Sequence, residues 1–373
     1  MATTSIKQRL RWVTTAKALG LIGVVLVHAP LSSVCKNHFS FYALPVFFVV
    51  AGMFFKDGQT LRQAASNNFV RLIIPYGGFA LVSFVEWLFF RQVFGWQSEI
   101  PIIKPVIGTL LGNGISPWMA HNIPLWFLPC FYLSLVYFQI VKQLAGRWLP
   151  FAVAGLAVIG FYLPRFLPFW LPWSMELAVL ACVFVALGYL LKNWLKREAP
   201  MPWWALVLCI ALNTLAFHCN GGVDLNWRQY GPFIGWYYLG ALSGVLMFFE
   251  ISKRLPAFRI LDIIGTHSLT ILGLHSIGIN LMYHVYSALF HVPSLEGFHG
   301  LRVLFPSLPV LTLGGVYALI IFTFLLAGIV VPLFLQVVYS RLLPAASKIR
   351  SFLSCSGSYC SDVKISGPQT ELV

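Results

Sequence analysis

Apolar residues run along this chain in ten long stretches, at about 14–33, 40–56, 69–92, 122–142, 148–168, 173–191, 202–219, 229–251, 261–289 and 309–340. The second is short and the last two are long. About 20 apolar residues suffice for a helix to cross a hydrocarbon core of about 30 Å. The pattern therefore predicts an all-α fold, a polytopic transmembrane helical bundle of about ten spans. Between 93 and 121 it is broken by Pro101, Pro105, Gly108, Gly112, Gly114 and Pro117. That segment predicts an outer loop with an interfacial or re-entrant piece. After Ala345 the periodicity stops and Ser and Gly become frequent, so the expected organisation is a membrane domain over 1–344 and a disordered cytoplasmic tail over 345–373.

Composition strengthens this picture. Hydrophobic residues make up 59% and charged residues 10% of the 373 positions, with a mean hydropathy of +0.81, far from a soluble globular balance. Of the 25 Lys and Arg, eighteen fall on the side of the N-terminus if the runs alternate, six fall on the other side, and Lys17 lies inside the first run. Positive residues mark cytoplasmic loops. Both termini are expected in the cytoplasm, and the net charge of +14 is accounted for without nucleic acid. No small-x-small cleavage site follows the first run, which reads as an uncleaved span. Neither a CxxC nor a Cys/His cluster with zinc spacing occurs, so no metal is implied.

Two ionisable residues sit in the first apolar helix. Lys17 and His28 are eleven residues apart, about 16 Å along one face. Either could snorkel to headgroups, but ionisable residues within spans usually face a bundle interior and mark a functional site. Lys56, Arg62 and Arg71 form a second feature, a cationic patch on the predicted inner side. It reads as topology signal and contact with membrane lipids, or as a cradle for phosphates.

Several motifs occur in order. Lys17-x10-His28 is followed by Phe41–Phe55 with Pro45, Phe47, Phe48 and Gly52, by Arg71-Leu-Ile-Ile-Pro75-Tyr76, and by Leu125-Trp-Phe-Leu-Pro129. Next come Leu171-Pro-Trp-Ser-Met-Glu-Leu-Ala178, Gly222-Val-Asp-Leu-Asn226 with Tyr230-Gly231, and Ile264-Gly-Thr-His-Ser-Leu-Thr-Ile-Leu-Gly-Leu-His275. Together they resemble the acyltransferase-3 family of integral membrane acyltransferases, in particular its fucose 4-O-acetylase-like, exopolysaccharide O-acetyltransferase branch. Three positions depart from that pattern: Thr14, where a carboxylate is usual, Ala43 in place of His, and Ala51 in place of Ser.

The resemblance implies an O-acetyltransferase that uses acetyl-CoA as co-substrate and acts on a sugar hydroxyl of a lipid-linked or exported polysaccharide in a bacterial inner membrane, beside polysaccharide assembly or export proteins. It implies His28 as general base, with an acetyl-histidine relay also open. It implies Lys17 as the accompanying cation, and Arg71, Arg62 and Lys56 as holders of the coenzyme A phosphates. Glu176 could replace the missing carboxylate as the group that orients His28. His275, Trp118 and Trp227 are expected toward the acceptor, although tryptophans also anchor membrane interfaces. A secondary transporter or flippase for glycans is the alternative from another class, since intramembrane ionisables and broken helices suit a substrate path as well.

Overall fold

In the computed structural model, residues 2–290 and 310–342 are described. The predicted 345–373 tail lies outside the described residues. In chain order the helices are α1 (Ala2–His28), α2 (Ser33–Ser40), α3 (Pro45–Met53), α4 (Leu61–Asn68) and α5 (Ile74–Phe94). They continue with α6 (Ile103–Leu111), α7 (Phe127–Ala145), α8 (Leu149–Phe166), α9 (Met175–Leu190) and α10 (Lys192–Leu195). Last come α11 (Trp203–Asn220), α12 (Ile234–Arg254), α13 (Arg259–Thr266), α14 (Ser268–Phe290) and α15 (Val310–Leu342). No strand occurs among the described residues. Contacts divide the chain at Pro332; the described part of the second unit, 333–342, is the helical end of α15.

Eight helical stretches among the described residues are long and apolar enough to cross a membrane, and nine if α13 and α14, bent by 90° at His267, count as one. One of the eight, Ile123–Phe166, has 44 residues. At about 1.5 Å per residue it would measure about 66 Å, twice a hydrocarbon core. It is broken at Gly146, whose φ of 49° and ψ of −119° lie outside helical space, and both arms, α7 and α8, pack on α9. Counting the arms separately gives the ten spans that the apolar runs predict.

Local sequence explains the breaks. Pro45 does not interrupt the second span; it begins α3, where a missing N–H costs nothing. Thr60 and Gln63 form a reciprocal capping box that starts α4. Between α4 and α5 the chain takes one π-helical turn, Phe69–Ile73, and Pro75 lies in the first turn of α5.

The first helix lies at the centre, packed on α2, α3, α12, α13 and α14. Small residues allow the close crossings. A Cβ at Gly265 of α13 would run into the Thr14 carbonyl of α1, one at Gly52 of α3 into the Val185 carbonyl of α9, and one at Gly188 of α9 back into Val49 of α3. Gly52→Val is therefore expected to destabilise the bundle by about 1–3 kcal/mol or more through overpacking. Gly77→Ala, where an added Cβ meets nothing within 4 Å, should leave thermal unfolding in detergent unchanged.

Candidate active site

His28 ends α1 and its ring lies against that of His275 on α14, with centroids 5.1 Å apart and planes at 47°. His275 is completely buried. Its Nδ1 lies 2.9 Å from the Leu272 carbonyl and 3.2 Å from that of Ile271. Both are acceptors, so Nδ1 carries the proton and donates. Its Nε2 is buried without a hydrogen-bond partner among the described residues. Lys36 lies on α2, which packs on α1.

A buried polar network fixes the surroundings. The Asn122 amide donates to Ser83 Oγ of α5 and to the Gly273 carbonyl of α14, both at 2.8 Å, and its oxygen accepts from Ser276 Oγ at 3.0 Å. Ser276 follows His275 directly, so the network locks the turn of α14 that carries the histidine. Beside it, His121 Nε2 lies 3.2 Å from Thr109 Oγ1, and burial pushes the His121 ring down to about 4, which leaves it neutral at physiological pH. The segment predicted as an outer loop thus inserts polar groups into the bundle. Sequence reasoning missed Asn122, Ser83 and Ser276, because single small polar residues at the edge of or within apolar runs carry no sign of the partners they meet on other helices.

Lys17 is half-buried, about 16 Å from His28 along α1, and makes no hydrogen bond or ion pair among the described residues. Thr14 is fourteen residues from His28, about 21 Å along the same helix. A carboxylate at position 14 would therefore not touch the His28 ring, and its loss removes nothing from it.

Glu176 sits elsewhere. Its Oε1 accepts from Arg228 Nη2 at 2.5 Å, with side-chain exposures of 0% and 8%. The same guanidinium donates to the carbonyls of Pro164, Leu167 and Phe169 and lies over Trp170, 4.4 Å from its centroid. Trp173, Ser174 and Arg228 all have positive φ, at 59°, 52° and 57°. Such strain costs about 1–3 kcal/mol per residue and persists only where the surroundings over-determine it. Glu176, expected to orient His28, is held in an ion pair that pins the start of α9 to the 224–229 turn, and no hydrogen bond between it and His28 occurs among the described residues. Trp227, 48% exposed, packs edge-on to Trp170 in the same layer. Trp118, 37% exposed, caps the α6 contact at Gly108.

At the other end of α9, Asp57 binds Lys142 of α7, Lys192 of α10 and the Tyr189 hydroxyl of α9. These hydrogen bonds, from Lys142 first and then Tyr189, hold its carboxyl well below the usual carboxylate range. A depressed folded value stabilises above the unfolded value, about 4, and is lost only as pH falls through the folded one. The difference in thermal unfolding between the parent and Asp57→Asn should accordingly stay constant from pH 8 to 5 and shrink only at lower pH. Beside this hub Lys56, Arg62 and Arg71 are exposed and make no hydrogen bond or ion pair among the described residues. Arg71 lies in the π-helical turn, a distortion frequent at functional sites. From Arg71 to Ser83, which anchors the network beside His275, is twelve residues, about 18 Å of helix.

Two clefts lie away from these groups. A cavity of about 340 Å³ between α7 and α8 is apolar, and one of about 250 Å³ lies between the 194–202 connection and α12. The helix that His28 ends packs on α2 and α14. No curated protein and no solved structure matches the chain. A family model described as an acyltransferase domain matches residues 10–340, a range that contains His28, His275 and the cationic patch, and the chain belongs to the acyltransferase-3 family of membrane acyltransferases.

Proposed function

We propose that the protein transfers acetyl from acetyl-CoA to a sugar hydroxyl of a lipid-linked or exported polysaccharide, in a bacterial inner membrane with both termini in the cytoplasm. The observation that carries this reading is a pair of contacting histidines, with Arg71, Arg62 and Lys56 uncommitted just before α5, the helix whose Ser83 anchors the network beside His275. The neighbouring Lys142 and Lys192 share the Asp57 carboxylate. Arg71, Arg62 and Lys56 have no such counter-charge among the described residues, which suits them to the phosphates of coenzyme A. Its pantetheine arm is long and thin, fit to carry a thioester from such a patch into a packed interior.

In the transfer, His28 takes the hydroxyl proton while the sugar oxygen attacks the thioester carbonyl. The attack forms the C–O bond; collapse of the tetrahedral intermediate re-forms the carbonyl and breaks the C–S bond, and the proton passes from the imidazolium to the departing thiolate. Lys17 is too far along α1 to touch the same carbonyl and is assigned to the donor's path. Lys36, on the helix that follows α1, is assigned the role of favouring the oxyanion. Trp118 and Trp227, exposed in one layer of loops, offer flat faces for the acceptor's sugar rings, and that layer is where polysaccharide assembly or export proteins would deliver it.

Arg71→Ala tests the donor assignment. The loss of charge-assisted hydrogen bonds worth about 1.5–3 kcal/mol should raise the Kd for acetyl-CoA tenfold or more in calorimetry on purified protein. Acceptor affinity should be unchanged. Equal weakening of both would contradict it.

A further inference from the structure

We propose that His275 is a positioning residue for His28: its Nε2 lone pair receives an N–H of the His28 ring and so fixes which nitrogen of His28 faces the hydroxyl. The inference rests on the acyl-transfer reading above and names the partner that this reading lacks. A histidine acting as a base needs one ring nitrogen unprotonated toward the substrate, and the hydrogen bond made by the other nitrogen decides which one that is.

The two carboxylate positions that the sequence suggests do not supply that bond. Position 14 is about 21 Å away along α1, and Glu176 is bound to Arg228. His275 is the ring that touches His28. Its own tautomer is settled by the helix, since two carbonyls on Nδ1 leave Nε2 as an acceptor. That atom is buried and has no other partner among the described residues, and an unsatisfied buried acceptor is costly. With centroids 5.1 Å apart, the two rings are in contact, and a turn of the His28 ring alone aims one of its nitrogens at the His275 acceptor. The rings are not so turned in the structure, as is common for catalytic hydrogen bonds before substrate is bound. The Asn122 network, which bonds to Gly273 and Ser276 on either side of His275, keeps the acceptor in place while His28 turns.

The test is steady-state acetyl transfer by the purified full-length protein in lipid nanodiscs, with acetyl-CoA as donor and total polysaccharide of the producing cell as acceptor. His275→Ala should lower kcat by about 10- to 100-fold, less than loss of the base itself, with KM for acetyl-CoA unchanged. His275→Gln, whose carbonyl oxygen can accept where Nε2 stood, should recover a large part of kcat. Nitrogen-15 spectra of histidine-labelled parent protein should show His275 protonated on Nδ1 and bare on Nε2. Unchanged kcat in a folded His275→Ala protein would overturn the proposal. So would loss of activity carried by KM alone, equal loss in the Ala and Gln variants, or an Nε2–H tautomer. His28→Ala, run alongside, separates the two levels: activity surviving that change sinks the acyl-transfer reading, whereas activity lost there and kept in His275→Ala sinks only the role of His275.

Discussion

His28→Ala should eliminate acetyl transfer to the glycan while the protein still inserts and accumulates. Removing a general base costs about 10² to 10⁴ in rate, and among the described residues only one other imidazole touches the His28 ring. The remaining ring in contact, His275, is fully buried and its Nδ1 proton is committed to helix carbonyls. The variant should fold because His28 closes α1 without a hydrogen bond that the helix needs; its ring contributes one aromatic contact. Lys17→Arg should keep more activity than Lys17→Met, since the positive charge persists at that depth. The O-acetyl content of surface or secreted glycan, compared with immunoblots of membranes, reads both results. Normal acetylation in His28→Ala membranes would remove the histidine from the mechanism.

Glu176→Ala should act on the fold first. It leaves the Arg228 guanidinium, 8% exposed, without its carboxylate, and breaking a buried pair by removing one partner typically costs about 3–5 kcal/mol. The strained turns at Trp173, Ser174 and Arg228 would lose the contact that holds them. The expected outcome is a large fall in unfolding temperature and in monodisperse yield from detergent. Replacing Glu176 and Arg228 together by Leu and Met should restore part of the stability, since a buried pair is often worth no more than well-packed apolar residues. A Glu176→Ala protein that unfolds at the parent temperature and yet has lost kcat would return Glu176 to the chemistry.

The spans were legible because lipid imposes its requirement locally: each crossing must be apolar over about 20 residues, wherever its neighbours are. Pro45 and Pro75 show the limit of such reading. Their presence signals a break, but only the structure shows that they start helices rather than kink them. Partnerships were not legible. Glu176 looks like a free acid on an apolar helix until Arg228, far along the chain, closes on it. Asn122 looks like the polar edge of an apolar run until Ser83, Gly273 and Ser276 converge on it. The motif spacing singled out His28 and His275 separately and placed them on different duties, because a helical period fixes which face a side chain takes and not which helix it meets. Position 14 is a different case. The rise of α1 alone puts it about 21 Å from His28, so its departure from the family pattern bears on the crossing with α13 at Gly265 and not on the base.

Thiol release from acetyl-CoA by the purified protein in nanodiscs tests the central claim most directly. The account predicts that free coenzyme A appears in proportion to the acetyl gained by added glycan, that release rises with acceptor concentration, and that both vanish in His28→Ala. A protein that carries glycan across a vesicle membrane while acetyl-CoA stays intact would contradict it.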